Sequence, residues 1–227
     1  ITDLNDDCLY DIFKRLSVRD QLHLLKTCDR FHFIIKQMIW KNLFRVTRTN
    51  GATLDQLNFD EYREVFQHTT EFMEKLTVDR NSNLIFPREP GCKRICVELD
   101  FYLSFPFPRL TKFCSRDYRV NDGLVRMLAE KCPHLKELSL HSDFITGAHI
   151  KDMKELQMLH LPYCSTLKTE HVNDILERCV NITHLDLSGF QLRDYKKPRD
   201  PTFLKVRQIF INYRFCLEKV YNGKNFL

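Results

Sequence analysis

Hydrophobic residues in the first 43 positions fall into groups with helical spacing. The first group recurs at i, i+3, i+4 and i+7, as expected for one face of a helix, and consists of Leu9, Ile12, Phe13 and Leu16. Ser17, three residues before Asp20, suits the N-cap of a second helix because its hydroxyl can accept a free backbone N–H. A third helix is indicated by the spacing of Cys28, Phe31, Ile35 and Met38. Three helices this short bury little apolar surface, so the segment needs a partner or a neighbouring domain to complete its core.

A longer string in the same segment resembles the F-box, a short helical module that binds a Skp-family adaptor of cullin-RING ubiquitin ligases. The string runs from Leu4 through the helix-spaced positions to Trp40. The resemblance implies that a Skp-family adaptor, and through it a cullin, is a partner. It places five residues at or near the adaptor interface, namely Leu4, Leu9, Ile12, Phe13 and Leu16. It places four residues inside the module, namely Leu22, Cys28, Phe31 and Trp40.

The segment departs from the family pattern at three points. Asn5 stands where the family usually has proline, and Phe31 stands where it usually has tryptophan. The interval from Phe31 to Trp40 is also one residue shorter than is common. Proline fixes the backbone angle φ, so its replacement removes a rigid turn before the first helix. We therefore expect a lower affinity for the adaptor than the family pattern alone implies.

The segment after the predicted F-box carries apolar residues at helical or near-heptad spacing, namely Phe59, Tyr62, Phe66, Met73 and Leu76. We predict one or two linking helices from about residue 57 to about residue 76. The pattern covers only about three heptads, which favours helices packed on a neighbour over a coiled coil. The predicted organisation is an F-box at 1–45, linking helices at 46–90 and leucine-rich repeats at 91–227.

The second half of the chain contains a repeated string of the form L-x-x-L-x-L. It occurs at Leu135–Leu140, Leu156–Leu161 and Ile182–Leu187, with starts 21 and 26 residues apart. Leucine-rich repeats have a period of roughly 20–29 residues. Weaker copies stand at Leu110–Phe113, Val206–Ile211 and, in degenerate form, Cys92–Val97.

Cysteines occupy fixed positions in this repeat. Cys132 and Cys179 lie three residues before a repeat start, and Cys164 lies three residues after Leu161. The arrangement resembles the cysteine-containing class of leucine-rich repeats, which is often found behind F-boxes. Helical spacing at 122–128 and 171–176 predicts helices between the strands, and repeats that cannot bury their apolar faces alone must stack into a solenoid. The predicted fold is α/β: a three-helix F-box followed by a short leucine-rich-repeat solenoid, with parallel strands on the concave face and helices outside.

The residues that alternate with the consensus leucines are expected to point away from the core. Solenoids commonly bind partners on such extended faces, so we predict that this face binds an unknown protein substrate. The predicted contacts are Glu137, His141, Met158, His160, His184, Asp186 and Phe210. His160 and Asp186 occupy the same column of adjacent repeats, where a pair would favour the charged imidazole.

Composition narrows the function further. The net charge of +5 is spread over 35 basic and 30 acidic residues, without the one-signed cluster typical of nucleic-acid binders. No apolar run reaches the roughly 18 residues of a membrane-spanning helix. The nine cysteines form no Cys-x-x-Cys pair, which disfavours a zinc site and indicates reduced cysteines in an intracellular protein. We therefore expect no metal, no cofactor, no nucleic acid and no membrane, and a cytoplasmic or nuclear location.

The chain lacks the motifs of common catalytic sites, including G-x-S-x-G, the P-loop and H-E-x-x-H, so we predict that it is not an enzyme. The F-box resemblance implies the substrate-recognition subunit of a Skp–cullin–F-box E3 ubiquitin ligase. The alternative is a leucine-rich-repeat scaffold that does not act through the ubiquitin ligase. A more distant alternative, a basic RNA or membrane binder, predicts a steep loss of binding with salt.

Overall fold

A computed structural model describes residues 3–49, 54, 57–79, 99–116 and 119–188, together with the backbone of two short strands at 208–210 and 221–222. The chain divides into two compact units, Ile1–Arg109 and Leu110–Leu227, here called the N-terminal and the C-terminal unit. The degenerate repeat predicted at 92–97 lies outside the described residues, and the segments 1–45, 46–90 and 91–227 stay a prediction. Of the described helices, none is both long and apolar enough to cross a membrane.

The N-terminal unit begins with two helices that start at polar side chains. Helix α1 spans Asp6–Phe13, and the side chain of Asn5 caps it by accepting a backbone N–H of the first turn at 2.8 Å. Helix α2 spans Val18–Leu25, and the Ser17 hydroxyl accepts a first-turn N–H at 3.1 Å. Both predicted helices are confirmed. Asn5 therefore starts α1 through a cap, which satisfies one of the N–H groups that every helix start leaves free.

The third predicted helix is present, but it is not a uniform α-helix. Helix α3 spans Asp29–Phe33, a π-helical segment follows at Ile34–Trp40, and helix α4 ends the run at Lys41–Leu43. A π-helix bonds residue i to residue i+5, so side chains five apart share a face. The buried side chains of the π segment follow that spacing and are Ile34, Ile35, Ile39 and Trp40. Met38, which the 3.6-residue period predicts on the inner face, is only half-buried.

One buried polar side chain joins these helices. The amide nitrogen of Gln21 donates to the carbonyl oxygens of Phe13, at 2.9 Å, and Leu16, at 3.2 Å. The amide oxygen of Gln21 accepts the indole N–H of Trp40 at 2.6 Å. Gln21 thereby satisfies carbonyls at the end of α1 and the one polar atom of a fully buried tryptophan side chain.

Two further helices of the N-terminal unit pack through aromatic rings. Helix α5 spans Phe59–Thr69 and starts with a capping box, and helix α6 spans Leu99–Leu103. The hydroxyl groups of Tyr62 and Tyr102 lie 3.1 Å apart in the buried contact between them. The prediction of a helix in this region is confirmed for α5.

Two strands of the N-terminal unit were not predicted. Strand β1 spans Val46–Arg48 and pairs in parallel with β2, which spans Lys75–Val78. The prediction that the linking helices continue to residue 76 is therefore wrong. Met73 and Leu76 lie at near-heptad spacing from the apolar positions of α5, but Leu76 is buried within β2 and Met73 is buried just before that strand.

The C-terminal unit contains a sheet in which β3 to β7 pair in parallel in chain order and β8 pairs antiparallel with β7. The strands are β3 (Lys112–Ser115), β4 (Glu137–Leu140), β5 (Met158–His160), β6 (His184–Asp186), β7 (Gln208–Phe210) and β8 (Tyr221–Asn222). Between strands lie α7 (Asp122–Lys131), a 3-10 turn (Ile150–Asp152) and α8 (Thr169–Arg178). The predicted α/β fold, with parallel strands and intervening helices, is confirmed, and β8 is an exception to the parallel order.

The L-x-x-L-x-L string has one structural form at β4, β5 and β6, where all three of its apolar positions are buried. At the start of β4, two consecutive N–H groups donate to the Thr111 carbonyl at 2.8 and 2.9 Å. The carbonyl of Lys136 accepts the equivalent pair at β5, and the carbonyl of Gln157 accepts it at β6. In each of these three repeats, the first residues of the strand therefore donate two hydrogen bonds to one carbonyl of the preceding repeat. This shared contact keeps the consensus side chains of neighbouring repeats in register.

The same arrangement occurs at β2 in the N-terminal unit. The carbonyl of Arg45 accepts two consecutive N–H groups at the start of β2, at 2.9 and 3.1 Å. The three consensus positions of β2 are buried and are Met73, Leu76 and Val78. Those of β1 are also buried and are Phe44, Thr47 and Thr49. A search for leucine alone misses these two copies, because methionine, phenylalanine and threonine occupy their consensus positions.

The repeat positions of the cysteines have a structural reason. Cys132 and Cys179 are the C-cap residues directly after α7 and α8, and the backbone N–H of each donates to the carbonyl four residues earlier. Each thiol-bearing residue is buried beside the start of the following repeat. Cys164 is also buried, with its sulfur 3.9 Å from the carbonyl oxygen of Leu140 in the preceding repeat. Cysteine serves at all three points as a small apolar side chain.

Candidate partner-binding surfaces

The residues predicted to face the adaptor divide into two groups. Leu9 and Phe13 are 0% and 2% exposed and belong to the core of the N-terminal unit. Their burial within their own module leaves these two side chains little area for a partner, and their predicted place at or near the adaptor interface stays a prediction. Leu4 and Ile12 are 39% and 45% exposed, and Leu16 is half-buried.

The exposed members define a stripe along α1. Leu4, Cys8 and Ile12 follow one another at intervals of four residues, and all three are exposed. We call these three residues the α1 stripe. Cys8 and Ile12 are four apart on α1 and are therefore neighbours on the helix surface. Leu4 is exposed just before the extended N-cap residue Asn5. The sequence prediction missed Cys8, although its spacing from Ile12 was visible.

The start of the stripe is held in place by a charged side chain from α3. The guanidinium of Arg30 donates to the carboxylate of Asp6 at 2.8 Å and also to the carbonyl oxygen of Leu4. Together with the cap at Asn5, these bonds fix the chain that leads into α1. The exposed leucine is therefore presented by an ordered backbone, which lowers the entropy lost on binding.

Of the four residues predicted inside the module, three are buried. Leu22 and Trp40 are fully buried, and Phe31 is buried with its ring edge against that of Phe13, 4.8 Å between centroids. Cys28 is exposed, so the prediction for this residue is wrong. Cys28 is the extended residue that precedes α3, and its position before the first helical turn takes it out of the apolar face that begins with Phe31.

The second candidate surface is the polar face of the sheet in the C-terminal unit. Leu138, Leu159 and Leu185 are buried on one face, and the residues that alternate with them are half-exposed on the other. One column across the sheet contains Lys112, Glu137, Met158, His184 and Gln208. The next column contains Cys114, Ser139, His160, Asp186 and Phe210. The backbone of Phe210 lies in this register, and its side chain is outside the described residues.

The structure brings some of the predicted contacts into pairs. His160 Nδ1 lies 3.6 Å from a carboxylate oxygen of Asp186, as expected from their shared column. Glu137 forms an ion pair with Lys112 in the neighbouring strand. Nδ1 of His184 lies 2.8 Å from the hydroxyl oxygen of the adjacent Thr183. Glu137 is thus paired with a lysine within the sheet, and Asp186 has an imidazole as its neighbour.

Sequence analysis missed functional candidates just beyond the strand ends. Arg116 follows β3, and Tyr163 follows β5 with a left-handed backbone, φ 64°, and a largely exposed ring. The ring of His141, which follows β4, lies 6.4 Å from that of Tyr163. Burial, followed by the charge of Arg116, lowers the pKa of His141. His141 was among the predicted contacts, whereas Arg116 follows a weak copy of the repeat and Tyr163 lies outside the positions that alternate with the consensus leucines.

The buried cysteines are unsuited to nucleophilic catalysis. Burial raises the pKa of the Cys132 thiol to about 12 and those of Cys164 and Cys179 to about 11. A reactive cysteine needs the opposite shift, because the thiolate is the nucleophile. Within the part of the chain that the structure describes, no group of three or more His, Cys, Asp or Glu side chains could hold a metal ion.

Comparison with known proteins bears on the first of these surfaces. Residues 1–43 match the family model of the F-box domain. The matched residues include α1, α2 and the run from α3 to α4, and exclude every strand. A search of curated proteins found no match to the chain. Proteins with an F-box are generally adaptors without catalytic activity. The helical N-terminal segment that carries the α1 stripe, residues 1–43, is an F-box domain.

Proposed function

We propose that this chain is the substrate-recognition subunit of a Skp–cullin–F-box E3 ubiquitin ligase. The observation that carries the proposal is the F-box domain at residues 1–43 with an apolar stripe, Leu4, Cys8 and Ile12, left uncovered by its own module. The α1 stripe contacts the Skp-family adaptor, and the adaptor connects the chain to the cullin. The segment from Leu110 onward forms a leucine-rich-repeat solenoid whose polar sheet face binds the substrate.

In this role the chain makes and breaks no covalent bond. Other subunits transfer ubiquitin, and this chain raises the local concentration of substrate near the charged conjugating enzyme. Tethering of this kind produces effective concentrations up to the millimolar range for short connections, on the order of 1 mM. The raised pKa values of the buried thiols agree with a binding role.

The decisive experiment is a pull-down of a purified Skp-family adaptor by the full chain and by an Ile12→Asp variant. Ile12 is 45% exposed, so the charge should leave the fold intact and abolish adaptor binding. Val180→Asp is the matched control, because Val180 is an exposed apolar residue of the C-terminal unit, 59% exposed. Circular dichroism should show the same helix content in all three proteins.

Two results would overturn the proposal. Failure of the wild-type chain to bind the adaptor would leave the leucine-rich-repeat scaffold as the better explanation. Equal binding by wild type and Ile12→Asp would show that the α1 stripe is not the contact. A change at Leu9 cannot serve in this test, because a charge at a fully buried position unfolds the module whether or not it binds an adaptor.

A further inference from the structure

One arginine of α3 holds the chain on both sides of the residue that caps α1. The guanidinium of Arg30 donates to the backbone carbonyl of Leu4, which precedes Asn5. It also donates, at 2.8 Å, to the carboxylate of Asp6, which follows Asn5. We call these bonds the Arg30 clamp. The sequence pattern did not indicate the clamp, because its two partners lie 24 and 26 positions before Arg30 in the chain.

The clamp holds a residue that the helix itself does not hold. The first backbone hydrogen bond of α1 runs from the N–H of Leu9 to the carbonyl of Asn5, so Leu4 lies outside the hydrogen-bonded helix. Within the residues that the structure describes, the Leu4 carbonyl has the Arg30 guanidinium as its one hydrogen-bond donor. The Leu4 side chain is 39% exposed and packs little against the module. The position of Leu4 therefore depends on Arg30.

Arg30 itself stands on a helix that is fixed by other contacts. The neighbouring Phe31 is buried with its ring edge against the ring of Phe13, the last residue of α1. The backbone N–H of His32 donates to the carbonyl of Cys28 at 3.0 Å in the first turn of α3. These contacts join α3 to α1 without the guanidinium. The clamp therefore acts on the chain before α1 and leaves the packing of the two helices to apolar side chains.

The exposure of the clamp indicates what it contributes. The side chains of Arg30 and Asp6 are 39% and 53% exposed, and ion pairs at such positions add little to the stability of a fold. The bond to the Leu4 carbonyl has a local effect instead, because it orders the backbone there before a partner binds. Ordering one residue costs free energy equivalent to about a fivefold to thirtyfold change in an equilibrium constant. A partner that contacts Leu4 avoids this cost while the clamp is present.

We propose that Arg30 is a positioning residue for adaptor docking, which acts by holding Leu4 of the α1 stripe in place and not by contacting the adaptor itself. The contribution of Leu4 to adaptor binding then depends on Arg30. The inference rests on the proposed function, because the adaptor is the partner assigned there to the α1 stripe. It adds a charged residue of a second helix, outside the stripe, to the determinants of docking.

A double-mutant cycle with Leu4 tests this dependence. Adaptor affinity is measured by isothermal titration calorimetry for the full chain, Arg30→Gln, Leu4→Ala and the double variant. Arg30→Gln should weaken binding by about tenfold, because the neutral, shorter side chain cannot span both partners of the clamp. In the Leu4→Ala background it should weaken binding by less than about twofold, because the contact that the clamp positions is gone. Equal losses in both backgrounds would overturn the proposal, since Arg30 would then act independently of Leu4.

A proline at position 5 should replace the clamp. The φ of −69° at Asn5 suits proline, and among the described residues no acceptor binds the Asn5 N–H. Proline also restricts the backbone of the residue before it, which is Leu4. Arg30→Gln should therefore weaken binding by less than about threefold in an Asn5→Pro background, with Asn5→Pro alone as the reference for the lost cap. An undiminished tenfold loss in that background would contradict a role through ordering of the chain.

Arg19→Gln is the matched control for a general structural effect. Arg19 forms an ion pair with Glu61 of α5 at 3.0 Å and is 41% exposed, close to the exposure of Arg30. The two variants should lower the urea midpoint, followed by Trp40 fluorescence, by similarly small amounts. Adaptor binding should weaken in Arg30→Gln alone. Equal weakening in Arg19→Gln would assign the effect to the stability of the unit and overturn the positioning role.

The failure of this inference can be told apart from the failure of the proposed function. Equal adaptor binding by wild type and Arg30→Gln would refute the positioning role and leave the F-box as the adaptor-binding module. Absence of adaptor binding by the wild-type chain would refute the proposed function, and the positioning role with it. Weaker binding by Arg30→Gln, with rescue by Asn5→Pro, is the result that we expect.

Discussion

Replacement of the buried glutamine that joins the F-box helices, Gln21→Leu, should destabilise the N-terminal unit strongly. The change deletes three hydrogen bonds, to Phe13 O, to Leu16 O and from Trp40 Nε1. The Trp40 N–H is left buried without a partner, at a cost of about 1–3 kcal/mol. The Phe13 carbonyl adds about 1 kcal/mol. The Leu16 bond is only partly buried, so water can replace it. We expect a loss of about 2–4 kcal/mol, a large share of the roughly 5–15 kcal/mol that holds a domain folded.

Urea unfolding measures this loss directly. Trp40 is the only tryptophan of the chain, so its fluorescence reports the F-box specifically. With a slope of about 1–3 kcal/mol per molar urea, the midpoint should fall by roughly 1–2 M. Gln67→Leu, at an exposed position of α5, is the matched control and should change stability by less than about 0.5 kcal/mol.

A double variant identifies the cause. In a Trp40→Phe background the indole N–H is absent, so Gln21→Leu should cost about 1–2 kcal/mol less than it does in the wild type, as measured by circular dichroism. Equal cost in both backgrounds would refute the role assigned to the orphaned indole. A Gln21→Leu variant as stable as the wild type would refute the hydrogen-bonded core altogether.

Three further predictions follow from local geometry. Asn5→Ala should lower the free energy of unfolding by about 1 kcal/mol, because the side-chain cap of α1 is lost. Asn5→Pro should be nearly neutral, because the φ of −69° suits proline and the stiffer unfolded chain offsets the lost cap. Urea titration distinguishes the two variants. An alkylating reagent should modify the exposed Cys8 and Cys28 rapidly in the folded chain, as followed by peptide mass spectrometry. Three buried thiols with raised pKa values should react slowly, namely Cys132, Cys164 and Cys179. Modification of the buried thiols at the same rate would contradict the structure. Burial, Arg116 and His160 lower the pKa of His141 below 6.5 against the opposing effect of Asp186. Below about pH 6.5 the unfolded chain therefore binds a proton at this histidine more readily than the folded chain does, and the free energy of unfolding should decline as the pH falls. The decline, measured by urea titration at several pH values, should be smaller in His141→Gln.

Local signals were sufficient for many elements. The Ser17 cap, the helix-spaced positions of α1 and α2, and the three L-x-x-L-x-L strings each depend on contacts within a few residues, and each predicted element is present. The weak copy at Leu110 is strand β3, and the weak copy at Val206–Ile211 contains β7. The sequence pattern did not reveal the copies at β1 and β2, because threonine and methionine occupy buried positions where the pattern expects leucine.

The adaptor-binding candidates show where local signals end. Leu9, Ile12 and Phe13 all lie on the apolar arc of α1, and periodicity treats them alike. The packing of the other F-box helices encloses Leu9 and Phe13 and leaves Ile12 exposed together with Cys8. An apolar arc wider than the contact it makes always leaves a margin, and only the neighbours decide which side chains form that margin.

By itself, the sequence determined the class of each part of this protein: a helical F-box segment at the start, and a β/α array with regularly spaced leucines and cysteines after it. These features repeat along the chain at fixed spacings, so they can be recognised without coordinates. The tertiary structure alone decided which apolar residues remain outside, that Gln21 closes the F-box core, and that Arg116, His141 and Tyr163 share one edge. Those relations join residues that are 19 to 47 positions apart. Packing between elements brings such residues together, and a periodic pattern within one element contains no information about that packing.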